Sequence, residues 1–292
     1  MPETTAELVD LLRLEPLEVG LFRGHQLLSN LQRTFGGLVL AQAITAAYDT
    51  VVDERALHSL HAYFLRPGRV ERPILYSVEN LRDGNTFSAR RVEARQAGRV
   101  ICQVSASFHI GEPGLDHHDV MPDVPAPDDC PGFADTMRSR FGDSPLWREW
   151  DALDVRIAGT SGAGGGIEPR SHGAHMRLWI RTTDRLDDPG VPAGAEHRLH
   201  EALLAYLSDL SLLSVSTVPH QVAFLSPNLQ SASIDHAMWF HRRMRADEWL
   251  LYDQVSPSAS HALGFSEGRL FQNGRLVSST AQEGLIRLVG NP

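Results

Sequence analysis

The chain has 292 residues, 42% of them hydrophobic, which is ample material for one large core or two smaller ones and excludes disorder as the bulk state. Its 27 Lys and Arg against 36 Asp and Glu give a net charge of -9, which argues against non-specific binding to nucleic acid or an anionic membrane surface. A local cluster of arginines could still oppose that balance and hold an anionic ligand.

Residues 1–12 are acidic and lack a basic stretch followed by an apolar one, no run of about 18 apolar residues occurs, and the last three residues are not a Ser-Lys-Leu address. A cytoplasmic protein without membrane insertion is expected. Cys102 lies in an alternating run and Cys130 in a proline-rich one, settings that suit two free thiols.

In chain order, a strand is expected over residues 17–24 and a helix over 37–48, where Leu38, Leu40, Ala41, Ile44 and Ala47 make it apolar enough to need cover on more than one side. β-rich runs follow at 56–64, 74–81, 87–96 and 100–108. In the last of these Val100, Cys102, Val104, Ala106 and Phe108 alternate, as in a sheet with one buried face. Pro113, Pro122, Pro125, Pro127 and Pro131 mark a connection over 111–154, with a short helix around 133–140. Residues 158–174 are irregular, and the glycines at 162–166 lack the spacing of a nucleotide-binding loop, so a flexible linker is expected. Beyond it come a strand at 175–181, a helix at 200–215, and β runs at 233–241, 249–255, 269–272 and 275–289, with Asn273-Gly274 set for a tight hairpin.

The two flanks repeat at an offset of 175 to 176 residues. His61-Ala62-Tyr63-Phe64 parallels His236-Ala237-Met238-Trp239, Ile74-Leu75-Tyr76 parallels Leu250-Leu251-Tyr252, and Gln96-Ala97-Gly98-Arg99-Val100 parallels Gln272-Asn273-Gly274-Arg275-Leu276. This predicts a tandem duplication: a unit at 1–110, a partly flexible connection at 111–174 and a second unit at 175–292. One helix followed by antiparallel strands makes each unit α+β.

Three motifs fail on context. Gly264-Phe265-Ser266-Glu267-Gly268 matches the nucleophile elbow, but a strand and a hairpin turn follow it rather than a helix, so Ser266 is expected to be a loop serine. His117-His118, His172 with His175, and His197 with His200 lack zinc spacing, and no metal or other cofactor is expected. Arg82, Arg90, Arg91, Arg95 and Arg99 form a basic cluster, either a solvated strand edge with salt bridges or a phosphate clamp. In a strand, Arg91 and Arg95 share one face and Arg90 takes the other.

Several stretches resemble the type II, TesB-like acyl-CoA thioesterase family. They are Phe35-Gly36-Gly37 with Ala41-Gln42, the run from His58 to Gly68, the run from Arg82 to Val92, Tyr206-Leu207-Ser208-Asp209, the run from Ser233 to Arg242, and the run from Val277 to Gly284. The likeness spans nearly the whole chain outside 111–174. It implies a double hotdog, each unit wrapping a curved antiparallel sheet around a central helix, and hydrolysis of acyl-CoA to a fatty acid and CoA without a metal, by a homo-oligomer such as a dimer or tetramer. The acid, hydroxyl and amide of the family fall on Asp209, Ser233 and Gln282. Ser233 departs from the threonine frequent in relatives but keeps the hydroxyl.

As chemistry, Asp209 sits at helical spacing from Ala205, Tyr206, Leu212 and Leu213, so it is drawn toward an apolar stripe, where it needs hydrogen bonds or a raised pKa. The expected route has Asp209 take a proton from a water that Ser233 and Gln282 hold, with oxyanion donors near Gly36 and Gly37 and with Arg90 and Arg91 offered to the substrate. Covalent attack through Ser233 or Asp209 is the alternative within the same activity. Subtracting the repeat offset from the three residues lands on Thr34 or Arg33, His58 and Ala106, which predicts one catalytic site per chain. A non-catalytic acyl-thioester-binding protein and a hotdog-type hydratase or dehydratase are the competing readings; the latter would want a His and Asp pair, for which His236 with Asp235 is the nearby imitation.

Overall fold

Helix α1 (Thr5–Leu11) opens the chain, and the Thr4 hydroxyl caps it by accepting from the Glu7 N–H. Strands β1 (Glu15–Glu18) and β2 (Leu21–Gly24) turn back on each other at Gly20, whose φ of +69° needs a residue without a Cβ, so the single strand expected there is a hairpin. The computed structural model describes residues 2–52, 54–162, 166, 174–186, 195–224 and 226–290. The central helix α2 (Gly36–Tyr48) is buried on nearly all sides and is followed by β3 (Ala56–Phe64), β4 (Ile74–Asp83), β5 (Phe87–Gln96) and β6 (Arg99–His109). The connection holds α3 (Phe133–Phe141) and then β7 (Leu153–Thr160), a strand that was not expected within the connection, reaches into the stretch expected to be irregular, and pairs with β8 (Ala174–Thr182). The second central helix is α4 (Glu196–Ser208), followed by β9 (Leu229–Ser233), β10 (Asp235–Phe240), β11 (Leu250–Ser260), β12 (Leu263–Gln272) and β13 (Arg275–Leu288). The glycine stretch lies mostly outside the described residues.

All pairings between these strands are antiparallel. The sheet runs β1-β2-β4-β5-β6-β3-β10-β13-β12-β11-β8-β7, with β9 added to β13, so the second half repeats the first in mirror order and the halves join at β3 and β10. Helices α2 and α4 pack against each other inside this wrap. This is the double hotdog that the resemblance implies.

The duplication is legible at the level of single hydrogen bonds. Gln96 Nε2 donates to the carbonyls of Arg69 and Arg72 while its Oε1 accepts from the Arg69 N–H; Gln272 makes the same three bonds with Arg245 and Glu248. Arg66 donates to the Val100 carbonyl at 2.7 Å and Arg242 to that of Leu276 at 2.8 Å. The hairpin turns at Ala97-Gly98 and Asn273-Gly274 share left-handed backbones, with φ of 48° and 75° in one and 51° and 76° in the other. Each of these matches has an offset of 176 residues.

That register corrects the first sequence match by one residue. Leu60 on β3 pairs with Ala106, and His236 faces inward as Leu60 does, whereas His61 points to solvent. A one-residue slip exchanges the two faces of a strand, so the shared His-Ala dipeptide is a coincidence of composition.

The helix expected over 200–215 ends at Ser208, and a 3₁₀ segment runs from Leu212 to His220. Ser214, Ser216 and Thr217 each return their hydroxyl to the carbonyl three residues back, which competes with the α-helical ladder and tightens the coil. By length and hydropathy, residues 196–220 would suffice to cross a membrane, but their most apolar window is 72% buried in the protein, as befits a core helix.

Candidate active site

Asp209 is the C-cap residue of α4, a position where the helix dipole disfavours a negative charge. The opposing helix compensates. The first turn of α2 has no side-chain cap of its own, since Phe35 precedes it, and its Gly37 N–H favours the charged form of the Asp209 carboxylate instead. Two glycines make this approach achievable: a Cβ on Gly36 would lie 2.7 Å from Asp209 Oδ2, and one on Gly37 would lie 2.5 Å from the Tyr206 carbonyl oxygen. Phe35 seals the junction with its ring edge-to-face on Tyr206, 5.0 Å between centroids.

Strand β13 delivers Gln282, whose side chain points inward and is fully buried. Ser233 ends β9 and lies across from Gly284. One amide nitrogen joins the set: Gln282 Nε2 donates to Asp209 Oδ1 at 2.7 Å and to Ser233 Oγ at 2.8 Å. Ser233 Oγ is itself 3.5 Å from Asp209 Oδ1. Both amide hydrogens are thereby used, and the opposite amide orientation would turn an oxygen onto the carboxylate, so Gln282 Oε1 is fixed as a buried acceptor without a protein partner. Burial pushes the Asp209 carboxyl up to about 6, while Gln282, the Gly37 N–H and Ser233 pull the other way. A carboxylate poised there, next to a hydroxyl and an amide acceptor, can take a proton near neutral pH.

The structure thus brings Asp209, Ser233, Gln282, Gly36 and Gly37 together and leaves the arginines out. Arg90 is 1% exposed and spends its guanidinium on Thr50, Asp83 and the carbonyls of Arg82 and Ala89, so it braces the β4–β5 turn and has no donor to offer a phosphate. Arg91 is on the outer face of β5 in an ion pair with Glu79, and Arg95 is there beside Glu93. The expectation of a phosphate clamp at Arg90 is therefore corrected. Gly37 changes role too, since its N–H is engaged by the acid.

Ser266 is neither a loop serine nor an elbow nucleophile. It sits in the middle of β12, fully buried, directly across from Gln282. Asp235 and His236 are on opposite faces of β10: Asp235 accepts the Glu283 N–H, and His236 turns inward to within 3.8 Å of Asp209 Oδ1. Sequence pairing had linked His236 to the wrong acid. Among the described residues, no group of three or more His, Cys, Asp or Glu is placed to hold a metal; His172 lies outside them.

The first repeat has a partial counterpart. Helices α2 and α4 each have 13 residues and each ends on an aspartate C-cap, Asp49 and Asp209. The acid is therefore duplicated, and the match of Asp209 to Thr34 or Arg33 is corrected: extra residues follow α4, so the helices are offset less than the strands. In the strand register Ser233 corresponds to Leu57, not His58, and Gln282 to Ala106, as expected. Asp49 is exposed and has neither the hydroxyl nor the amide.

Comparison with known proteins agrees with this architecture. A family model described as acyl-CoA thioesterase matches residues 172–285, and one described as the acyl-CoA thioesterase N-terminal domain matches residues 28–109. Acyl-CoA thioesterase 2 of Haemophilus influenzae is 36% identical, covering 98% of this chain and 99% of its own. Human acyl-coenzyme A thioesterase 8 is 35% identical over 95% of this chain and 88% of its own. The crystal structure of an acyl-CoA thioesterase II, TesB2, from Mycobacterium marinum superposes with a TM-score of 0.80 at 42% identity, covering 96% of this chain and 97% of that one. With both repeats matched and the likeness running almost end to end, the chain belongs to the TesB-like acyl-CoA thioesterases, thioester hydrolases of double-hotdog fold.

Proposed function

We propose that the protein hydrolyses acyl-CoA to a free fatty acid and CoA at a single site, with Asp209 as general base and Ser233 and Gln282 as the groups that hold the attacking water. The observation that carries this reading is the shared amide nitrogen of Gln282, which ties acid and hydroxyl together at 2.7 and 2.8 Å while its oxygen stays available as an acceptor. In the proposed step the water oxygen bonds to the thioester carbonyl carbon and its proton passes to Asp209. Collapse of the tetrahedral intermediate breaks the C–S bond, and the same proton returns to the departing thiolate. The amino end of α2, around Gly36, is the proposed source of oxyanion stabilisation, because helix-terminal N–H groups favour developing negative charge.

The test is thiol release from a panel of straight and branched acyl-CoAs by wild type and by D209A, S233A and Q282A. Turnover by wild type and its collapse in D209A are expected; no turnover across the panel would remove the proposal and favour a binding protein. Single turnover in ¹⁸O water separates the routes, because label incorporated into Asp209 would show covalent attack instead. The same reading takes the protein as a cytoplasmic homo-oligomer without membrane insertion. Tyr63, Leu65 and Trp239, exposed along the β3–β10 seam, support the oligomer by offering an apolar face to a second copy. A monomeric mass in solution would overturn that part.

A further inference from the structure

Beyond the Gln282 amide lies a group of buried polar atoms that the hydrolytic step does not use. Ser266 Oγ, Gln254 Nε2 and Gln282 Oε1 are each sealed from solvent and have no hydrogen-bond partner among the described residues. All three residues are 0% exposed. The strand register brings them together. Ser266 on β12 pairs with Gln282 on β13, so their side chains are neighbours on the inner face of the sheet. Gln254 on β11 pairs with Gly268, two residues along β12 from Ser266 on the same face, a diagonal that a glutamine side chain spans.

The unused hydrogens and lone pairs of the three are complementary. Ser211, two residues beyond Asp209, gives its hydroxyl hydrogen to Gln254 Oε1 at 3.0 Å, which leaves Gln254 Nε2 as a donor. Ser266 keeps its hydroxyl hydrogen. Gln282 Oε1 accepts only, since both hydrogens of that amide go to Asp209 and Ser233. A buried water characteristically makes about three hydrogen bonds to groups left unpaired in this way. One water meets all three needs: it accepts from Ser266 Oγ–H and Gln254 Nε2–H and donates to Gln282 Oε1. Because water both donates and accepts, it serves either orientation of the Gln254 amide.

The first repeat handles the same place differently. At the 176-residue offset Ser266 corresponds to Arg90, which pairs with Ala106 as Ser266 pairs with Gln282. Arg90 reaches with its own guanidinium to Thr50, next to the C-cap of α2. The short side chain of Ser266 reaches no such group, so its polar contacts need a bridging molecule.

We infer that Ser266 and Gln254 hold a single buried water against Gln282 Oε1, and that Ser266 is thereby a positioning residue which keeps the amide turned with Nε2 toward Asp209 and Ser233. The inference rests on Gln282 serving the hydrolytic reaction, and it gives Ser266 no contact with substrate. Gln282 Oε1 has two lone pairs, so the second stays open to the attacking water.

A high-resolution crystal structure of the wild type tests the water directly. One ordered peak about 2.7–3.2 Å from Ser266 Oγ, Gln254 Nε2 and Gln282 Oε1 is expected. Density in which these atoms bond directly to one another, or in which no water joins them, overturns the inference. Kinetics tests the role. Ser266→Ala is expected to lower kcat about tenfold with KM little changed, the signature of an interaction lost from the transition state. Ser266→Gly leaves room for a second water where the hydroxyl was, so kcat is expected to recover to within about threefold of wild type, although glycine packs worse in mid-strand. A serine needed only for packing would give the reverse order, and that order, or wild-type kcat in Ser266→Ala, overturns the positioning role. Should the variants fail to fold, the wild-type density decides. Gln282→Ala separates the two levels. If it keeps turnover, the reading of Gln282 fails; if it is inactive while Ser266→Ala matches wild type, only the role of Ser266 fails.

Discussion

The backbone N–H of Gly37 favours the charged form of Asp209, so the acid that ends the central helix of one repeat lies at the amino end of the central helix of the other. The site belongs to neither repeat alone. Its proposed base comes from the second unit, and the helix end beside that acid comes from the first.

The first prediction concerns that junction. Gly37→Ala places a methyl 2.5 Å from a backbone carbonyl that cannot swing aside, so α2 and α4 must separate. A loss of about 1–3 kcal/mol in denaturant unfolding is expected, with activity falling alongside. Gly36→Ala meets the movable Asp209 side chain and Phe64 instead, so its activity should fall more than its stability.

The second concerns pH. Asp209 must be ionised to accept a proton, so kcat/KM should fall about tenfold per pH unit below about 6, the pKa to which burial raises the group. The stability effect has the opposite sign. A carboxyl whose folded pKa exceeds its unfolded one favours folding at low pH, and that contribution is lost as pH rises from about 4 through about 6. Asp209→Asn should therefore be inactive yet more stable than wild type at pH 8, by on the order of 1–3 kcal/mol, and no more stable at pH 4. Thermal melts of the pair at both pH values check it.

The third prediction uses Gln282 and Ser233. Gln282→Glu sets a second carboxylate against Asp209, which should raise the apparent pKa of the acidic limb and lower kcat about a hundredfold or more. Ser233→Thr keeps the hydroxyl and should retain activity within about fivefold, whereas Ser233→Ala should lose more. Comparing the pH–rate profiles of the three variants distinguishes a lost donor from an added charge.

The fourth tests the asymmetry between repeats. Asp49→Asn removes the duplicated acid at an exposed helix end, and kcat should stay within about twofold of wild type. A loss comparable to that of Asp209→Asn would show a second working site.

Much of the fold was open to sequence reasoning because its signals are local. The extent of β6 follows to within a residue at each end from the alternation over 100–108, and the Asn273-Gly274 turn follows from its backbone requirement. Hidden features depended on three-dimensional context. β7 alternates only over Leu153, Val155 and Ile157 before Gly159, a run short enough to be passed over between proline-rich and glycine-rich stretches, and it is a strand because β8 offers it an edge. The end of α4 was missed because leucines continue past Asp209 at helical spacing while serine hydroxyls withdraw the ladder. The site was legible as a set of types in Asp209, Ser233 and Gln282, by resemblance. The inward turn of His236 was not, since one residue of register decides which face a strand side chain occupies, and the attractive His-Ala match pointed to the wrong one. Arg90 misled for a related reason: sequence cannot tell a buried brace from an exposed clamp.

The seam between repeats carries a consequence for divergence. Residues 61 and 237, equivalent at the 176-residue offset, face each other where β3 meets β10, which is the contact that a two-fold pair of separate subunits would make at its axis. In such a pair every substitution is made twice, and the helix whose amino end meets one acid must carry another at its carboxyl end. A single covalent chain is free of that obligation. Here the position after the same number of helical turns holds Tyr48 in one half and Ser208 in the other; Tyr48 reaches Glu201 to bind the helices together, and Ser208 reaches His236 beside the acid. In one chain, one end of the helix pair can serve cohesion while the other serves the proposed chemistry.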